Sequence, residues 1–392
     1  MTRTASILLA AALAGGAPAL AQEPARTPVT LTSVSHAAGL LASGEQAARR
    51  TLQVDAEGDL TLVVASPARL AVEVATPDGR RVSAGNADGE ETRVFEFALD
   101  EKPSLPLPGL GLGQNTLVML RKAAAGSYEV QLRAEQPVEQ PTAFVLTLLP
   151  TSELRLGLAV PESELPAGQG VAVAGVLFQG DRPVREATVT ATITQEPGPK
   201  DDLPPSSERI ELRDDGRGAD AAAGDGIFTG LYVPAVPGQY VVLVRAEGLS
   251  SEGRAFERDT AGALRVAERT ATLGEKYEAE GIDDDGDGRY DRLQVAAGVE
   301  APAPGRYDVV VTLRASNGAT VSAHALAMLE GGSQTVAVDF DAAQLLTLGA
   351  DGPWTLALVR LDEVTDSDRL LRDRVLEAGT TDGFALASFA SP

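Results

Sequence analysis

The chain has no cysteine. No disulfide can form, no thiol can act as a nucleophile and no thiolate can hold a metal. Lysine is nearly as scarce, with only Lys102, Lys122, Lys200 and Lys276 in 392 residues. Lys and Arg together number 33 against 56 Asp and Glu, for a formal net charge of −23. That balance repels phosphate backbones and argues against nucleic acid as a partner. Histidine occurs twice, at His36 and His324, far apart and with no Ser or carboxylate motif beside either. Motifs of the GxSxG, HExxH and P-loop types are missing. No apolar run is long enough to span a bilayer as a helix, so no membrane span is expected.

The N-terminus reads as a targeting segment. Arg3 supplies the positive end, residues 7–13 with Ala14 form a short apolar core, and Ala19-Leu20-Ala21 has the small-x-small form of a cleavage site. A signal peptide is therefore expected over residues 1–21, with the mature chain starting at Gln22. Without a cysteine at that site no lipid can be attached. The expected location is periplasmic or extracellular. Export permits disulfides but this chain can make none, so each module must be held by its own apolar core. Modules of about 100–120 residues can manage that.

Residues 22–50 read as an N-terminal arm or linker, with a short helix expected over residues 37–50 and His36 on its surface. From Thr51 onward, short runs rich in branched residues recur at intervals of about ten, bounded by Gly, Pro and Asp. Three strand-like segments open alike: Gly126-Ser127-Tyr128, Gly238-Gln239-Tyr240 and Gly305-Arg306-Tyr307. The pattern predicts an all-β protein of three tandem β-sandwich, immunoglobulin-like domains, over residues 51–150, 151–268 and 269–392. Residues 227–232 and 239–246 read as consecutive antiparallel strands. Residues 102–113, broken by Pro and Gly, read as a long loop covering a sheet edge, and residues 196–208 as a solvated hairpin tip. In the third domain, residues 341–346 read as one short helix capped by Asp341, and the terminal FALASFA as a strand.

Asp214-Asp215-Gly216, then Asp220, then Asp225-Gly226 with Phe228-Thr229, then Gly238 and Tyr240, resemble an immunoglobulin-like domain of bacterial cell-surface and secreted proteins. The third domain resembles a second module of secreted bacterial proteins, on its DxDGDGxYD start and on Asp351-Gly352-Pro353-Trp354-Thr355-Leu356. The order of the three modules behind an export signal resembles an uncharacterised family of proteobacterial secreted proteins. That resemblance implies the fold and brings no activity with it.

The strongest local signal for chemistry is Asp283-Asp284-Asp285-Gly286-Asp287-Gly288-Arg289-Tyr290-Asp291. Asp283, Asp285, Asp287 and Asp291 take positions 1, 3, 5 and 9 of a calcium loop, Gly288 the sharp turn at 6, and Arg289 the backbone carbonyl at 7. Position 12 is Gln294 instead of a bidentate Glu, so the loop is not an EF-hand. Crowded carboxylates repel one another unless a cation sits among them, and Ca²⁺ is the expected cofactor. The spacing of Asp214, Asp215, Asp220 and Asp225 matches no standard loop and reads as turn chemistry.

These observations point to an exported, non-catalytic binding or structural protein. Adhesion to an unidentified protein or glycan is its most concrete form, with Ca²⁺ stabilising the C-terminal module. Paired carboxylates keep a carbohydrate-active hydrolase as an alternative, and an envelope assembly factor is another.

Overall fold

The computed structural model describes residues 3–8, 26–87, 90–99, 113–160, 164–196 and 206–390. The expected cleavage site, the edge-covering loop 102–112 and most of the acidic hairpin tip lie outside the described residues. Nearly every described element is a strand. Among the described residues no helix is long and apolar enough to cross a membrane.

The chain enters as β1 (Arg3–Leu8) and β2 (Arg26–Leu31), which pair antiparallel. The first module then contains β3 (Ser35–Leu41), β4 (Ala47–Val54), β5 (Gly58–Ser66), β6 (Ala71–Ala75), β7 (Arg81–Ser83), β8 (Thr92–Leu99), β9 (Gly113–Ala123), β10 (Gly126–Arg133) and β11 (Thr142–Pro150). Two sheets form, of order β4-β10-β6-β7 and β3-β11-β5-β9-β8. Their inward faces meet in a core that includes Leu41, Leu120, Tyr128, Leu132, Phe144 and Leu146.

β3 and β4 occupy the stretch expected as a helix. The pairing of β3 with β11 decides the outcome. Gly39 lies against the Phe144 ring and the Arg50 guanidinium, so close that a Cβ would fall 2.2 Å from Phe144 Cζ. Only glycine lets the strand approach that far. Arg50 in turn caps the Phe144 ring at 5.2 Å.

The second module contains β12 (Leu154–Ala159), β13 (Glu164–Pro166), β14 (Val171–Gln179), β15 (Arg182–Pro183), β16 (Ala187–Gln195), β17 (Ser206–Leu212), β18 (Ile227–Tyr232), β19 (Gly238–Leu249) and β20 (Ala255–Ala267). One sheet runs β12-β14-β15 with β18 also on β14; the other runs β13-β20-β19-β16-β17. The consecutive strands β18 and β19 therefore do not pair. The Pro-rich segment between them crosses from one sheet to the other, which brings Tyr232 and Tyr240 edge to face across the core with centroids 6.2 Å apart.

The third module contains β21 (Thr272–Ile282), β22 (Arg292–Ala301), β23 (Gly305–Arg314), β24 (Thr320–Leu329), β25 (Gly332–Asp341), α1 (Ala342–Leu346), β26 (Thr355–Val364) and β27 (Arg369–Leu376). Its sheets are β21-β22-β25 and β24-β23-β26-β27. Asp341 takes the N-cap of α1, and its backbone N–H donates to the Gln344 side chain at 3.0 Å. The terminal FALASFA is not a strand but a 3₁₀ turn over Leu386–Ser388. Its Phe384 and Phe389 leave the sheet register to pack on Trp354 and Tyr290, at centroid distances of 5.5–6.2 Å.

The three Gly-x-Tyr segments open β10, β19 and β23, one in each module. All three tyrosines are buried. Tyr128 donates its hydroxyl to Ala124 O, and Tyr240 donates to Val236 O, both at 2.7 Å. Each bond ties a strand start to the backbone four residues upstream, as in the tyrosine corner of immunoglobulin sandwiches. Gly126 and Gly238 sit at φ of 140° and 147°, where a Cβ would be strained.

Candidate functional site

The Asp283 loop connects β21 to β22. Gly286 and Gly288 both take positive φ, which curls the backbone around the carboxylates. Ligand oxygens of Asp283, Asp285 and Asp287 lie within 4.8 Å of one another, and all three residues are exposed. Asp283 accepts the N–H groups of Gly286 and Gly288, at 2.7 and 3.0 Å. Asp285 accepts from Asp287 at 3.1 Å, and Asp287 from Arg289 at 2.8 Å. Asp291 stays outside the convergent group, its Oδ2 taking the Asp284 N–H at 2.6 Å. The next turn is anchored firmly. Tyr290 donates its N–H to Ser388 O and accepts from Ala390, and its ring packs on Phe384 and Phe389. The acidic loop is thus fastened to the C-terminal segment. The donor set is all hard oxygen, which suits Ca²⁺.

The second acidic loop, between β17 and β18, also gathers carboxylates. Oxygens of Asp214, Asp220 and Asp225 lie within 4.8 Å of one another, although their spacing in sequence matches no standard loop. Asp220 is 6 % exposed. Asp214 accepts the N–H groups of Gly224, Asp225 and Gly226, and Asp220 accepts that of Gly216. Burial raises the Asp225 pKa first, and repulsion from Asp214 and Asp220 adds to it, against the Ile227 N–H that lowers it. The backbone bonds make these aspartates the pins of the turn.

The histidines lie apart. His324, on β24, has Nδ1 3.0 Å from Asp308, a carboxylate with no exposure on β23. Arg369 is the other partner of Asp308. Asp362 stands directly across the ladder from Asp308 and is held by Arg360 at 2.8 Å. Two buried like charges side by side would destabilise the sheet, and here a guanidinium engages each one.

His36 belongs to the junction of the first two modules, within a network of charged groups. Asp55 and Arg258, 3 % and 0 % exposed, form an ion pair across that junction. The Arg258 guanidinium also donates to Leu154 O at 3.2 Å and Glu257 O at 2.8 Å. Asp55 accepts from Ser152, in the short link between the modules, at 2.6 Å. Burial lowers the Arg258 pKa, with Asp55 acting against the shift. Beside the pair, Asp259 accepts the His36 N–H at 2.7 Å and Arg245 Nε at 2.7 Å, while Arg245 donates to His36 O at 2.8 Å.

The chain crosses this junction twice. Val29 and Leu31 pack with Ala159, Ala174 and Val176 on the second module before the backbone enters the first. Thr32 and Leu156 exchange both backbone hydrogen bonds. Gly157 makes room: a Cβ there would lie 2.4 Å from Val29 Cγ1. The arm at residues 29–34 is therefore built into the second module.

A similar knot joins the second and third modules. Asp373, with no side-chain exposure, accepts both arms of Arg269 at 2.9 Å. It also accepts Gln169 Nε2 at 2.7 Å and the Leu273 N–H at 2.8 Å. Sequence reasoning missed both knots because the contacts that cross between modules join residues 203–223 apart. The available signal was faint: isolated Asp and Arg residues inside otherwise alternating strands.

Residues 185–266 match a protein family described as the conditioned medium factor second Ig-like domain. No curated protein matches the chain. Among solved structures, the chain is similar to a DUF4785 family protein of Legionella pneumophila, at 11% identity and a TM-score of 0.48, covering 88% of this chain and 92% of that one. It is also similar to a Bacillus licheniformis lipase in propeptide form, at 10% identity and a TM-score of 0.35, covering 64% and 44%. A tetra-tandem repeat from the extending region of a large adhesion protein gives 15% identity and a TM-score of 0.20, covering 92% and 80%.

Proposed function

We propose that this chain is an exported, non-catalytic structural and binding protein, a stiff run of three immunoglobulin-like sandwiches that holds its loops and sheet edges toward a protein or glycan partner. The observation that carries this reading is a buried carboxylate at each junction, Asp55 held by the buried Arg258 of the second module and Asp373 held by Gln169 of the second module. Modules joined only by short linkers swing about them, whereas modules tied through buried carboxylates, and at the first junction by an ion pair and two chain crossings as well, move as one body. Stiffness suits a spacer or an adhesive arm and is of little use to a hydrolase confined to one cleft. Asp308 and Asp362 would be the pair for a hydrolase, but each is already engaged by an arginine. The resemblance to secreted bacterial modules and the N-terminal targeting pattern support export.

Ca²⁺ belongs to the same proposal. Asp283, Asp285 and Asp287 would supply carboxylate oxygens, with Arg289 and Asp291 completing the set through a carbonyl and a water. The bound ion would relieve repulsion among the carboxylates and stiffen the hairpin that carries Tyr290, and so the aromatic cluster under the C-terminus. Calorimetric titration of the chelated protein tests it. The expected result is heat of binding and a higher melting point for the third module, both lost in Asp283→Asn with Asp285→Asn. No heat and no melting shift at about 1 mM Ca²⁺ would remove the ion from the proposal. For the binding role, immobilised protein is exposed to cell-surface glycans and envelope proteins while the solution is assayed for cleavage products. Retention without products is expected; product release would favour the hydrolase.

A further inference from the structure

We propose that β24 is a homotypic docking edge, and that two copies of the chain pair their β24 strands antiparallel across a twofold axis. Among the described residues β24 is the outer strand of its sheet, hydrogen-bonded only to β23. It runs ten residues, TVSAHALAML, with no Asp, Glu, Lys, Arg or Pro. Long free edges are normally protected by charge, bulges or cover, because unpaired backbone groups template further pairing. The other edges of the three modules, among the described residues, have such protection; the separate β1–β2 pair precedes the modules. β4, β8, β17, β21, β25 and β27 each carry two or more charged residues. β7, β13 and β15 are only two or three residues long. β3 is bonded to the second module through Ser35 and His36, β12 to Thr32 of the N-terminal arm, and β18 to Arg213 through Thr229. β24 has none of these, and it presents Leu326 and Met328 at 56% and 69% exposure, the highest of the exposed large apolar side chains among the described residues.

A second copy fits this edge on three grounds. The first is charge. Each chain carries −23, so most pairs of surfaces oppose carboxylates, whereas two β24 edges bring no like carboxylates together. The second is closure. A twofold pairing consumes both free edges and leaves none for further growth, while a head-to-tail contact would propagate. The third is register. Side chains alternate with period two, so only registers that keep one face together are allowed. Setting Leu326 against Leu326 does so, and it places Met328 against His324. Ten residues at about 3.4 Å each, on a sheet edge about 10 Å deep, cover about 340 Å² per copy. The total falls below the roughly 1,200 Å² of a stable complex, so a reversible dimer is expected and not an obligate one.

Because the chain has no cysteine, Leu326→Cys introduces a single thiol. In the proposed register two Cβ atoms lie about 5 Å apart, close to disulfide reach. Mild oxidation of the full chain should give a covalent dimer from Leu326→Cys and not from Leu231→Cys, a control of 50% exposure on β18. Sedimentation velocity between about 10 µM and about 1 mM should show a reversible dimer that strengthens as salt screens the net charge. Leu326→Lys with Met328→Lys should abolish it and leave the melting temperature unchanged, since both positions are exposed. A monomer throughout that range, a dimer that survives the double lysine change, or equal cross-linking of Leu231→Cys would overturn the proposal.

Discussion

Replacing Asp55 by Asn removes the charge that Arg258 needs while keeping the side chain's shape. The guanidinium would remain fully buried among neutral acceptors alone, the new amide oxygen and the Leu154 and Glu257 carbonyls, the latter two at 3.2 and 2.8 Å. Breaking one side of a buried pair costs about 3–5 kcal/mol, because the surviving charge is left uncompensated. Two carbonyls already face Arg258, so the lower figure applies, about 3 kcal/mol. A unit of about 150–250 residues loses about 2–4 °C of melting temperature per kcal/mol, so scanning calorimetry should show the transition of the first two modules fall by about 6–12 °C. The double change Asp55→Leu with Arg258→Met removes both charges and should recover most of that loss, since apolar replacements of buried pairs are often neutral or better. A drop under about 2 °C, or a double variant as unstable as the single, would refute the reasoning.

At the second junction Asp373→Ala should cost about 1–3 kcal/mol, because the buried Leu273 N–H loses its acceptor while the part-exposed Arg269 turns to solvent, read by urea denaturation of the third module. Tyr240→Phe should lose about 1 kcal/mol by removing the bond to Val236 O, with little change in fold by circular dichroism. His36 has its pKa lowered from 6.5, chiefly by burial and further by Arg245, against Asp259. The folded state then holds fewer protons than the unfolded one, so the contribution of His36 is fully present above pH 6.5 and is lost as pH falls toward the folded value. Glu257 has the opposite sign, since burial raises its pKa. The difference in melting temperature between the native chain and His36→Gln, taken from pH 7.5 to 5.5, should therefore shrink on acidification.

The architecture was largely legible because a strand repeat is a local property. Gly126, Gly238 and Gly305 announce turns, the tyrosine two places on is buried, and alternation supplies the sheet faces. The all-β, tandem immunoglobulin-like fold follows from those patterns. Helix was misread at residues 37–50 because the apolar groups there are small, and only the pairing with β11 and the tight seat of Gly39 on Phe144 decide for strand. The pairing of β18 with β14 was hidden for a related reason: a Pro-Gly turn reads the same whether it closes a hairpin or crosses between sheets. The acidic loops were visible as composition, and the convergence of Asp214, Asp220 and Asp225 was not, since it depends on how Gly216, Gly224 and Gly226 fold the turn. The junction knots left almost no trace. Asp55 and Arg258 are 203 residues apart, and nothing local distinguishes them from solvated surface charges.

The claim that these knots make one rigid body is tested most directly by the spin-label distance between the first and third modules. Two cysteines, at Thr51 on β4 and Glu278 on β21, would be the only thiols in the chain. Double electron–electron resonance should give one narrow distance distribution, and it should broaden when Asp55→Ala or Asp373→Ala releases a junction. A broad distribution in the chain with both knots intact, or a narrow one unchanged when both are removed, would contradict it.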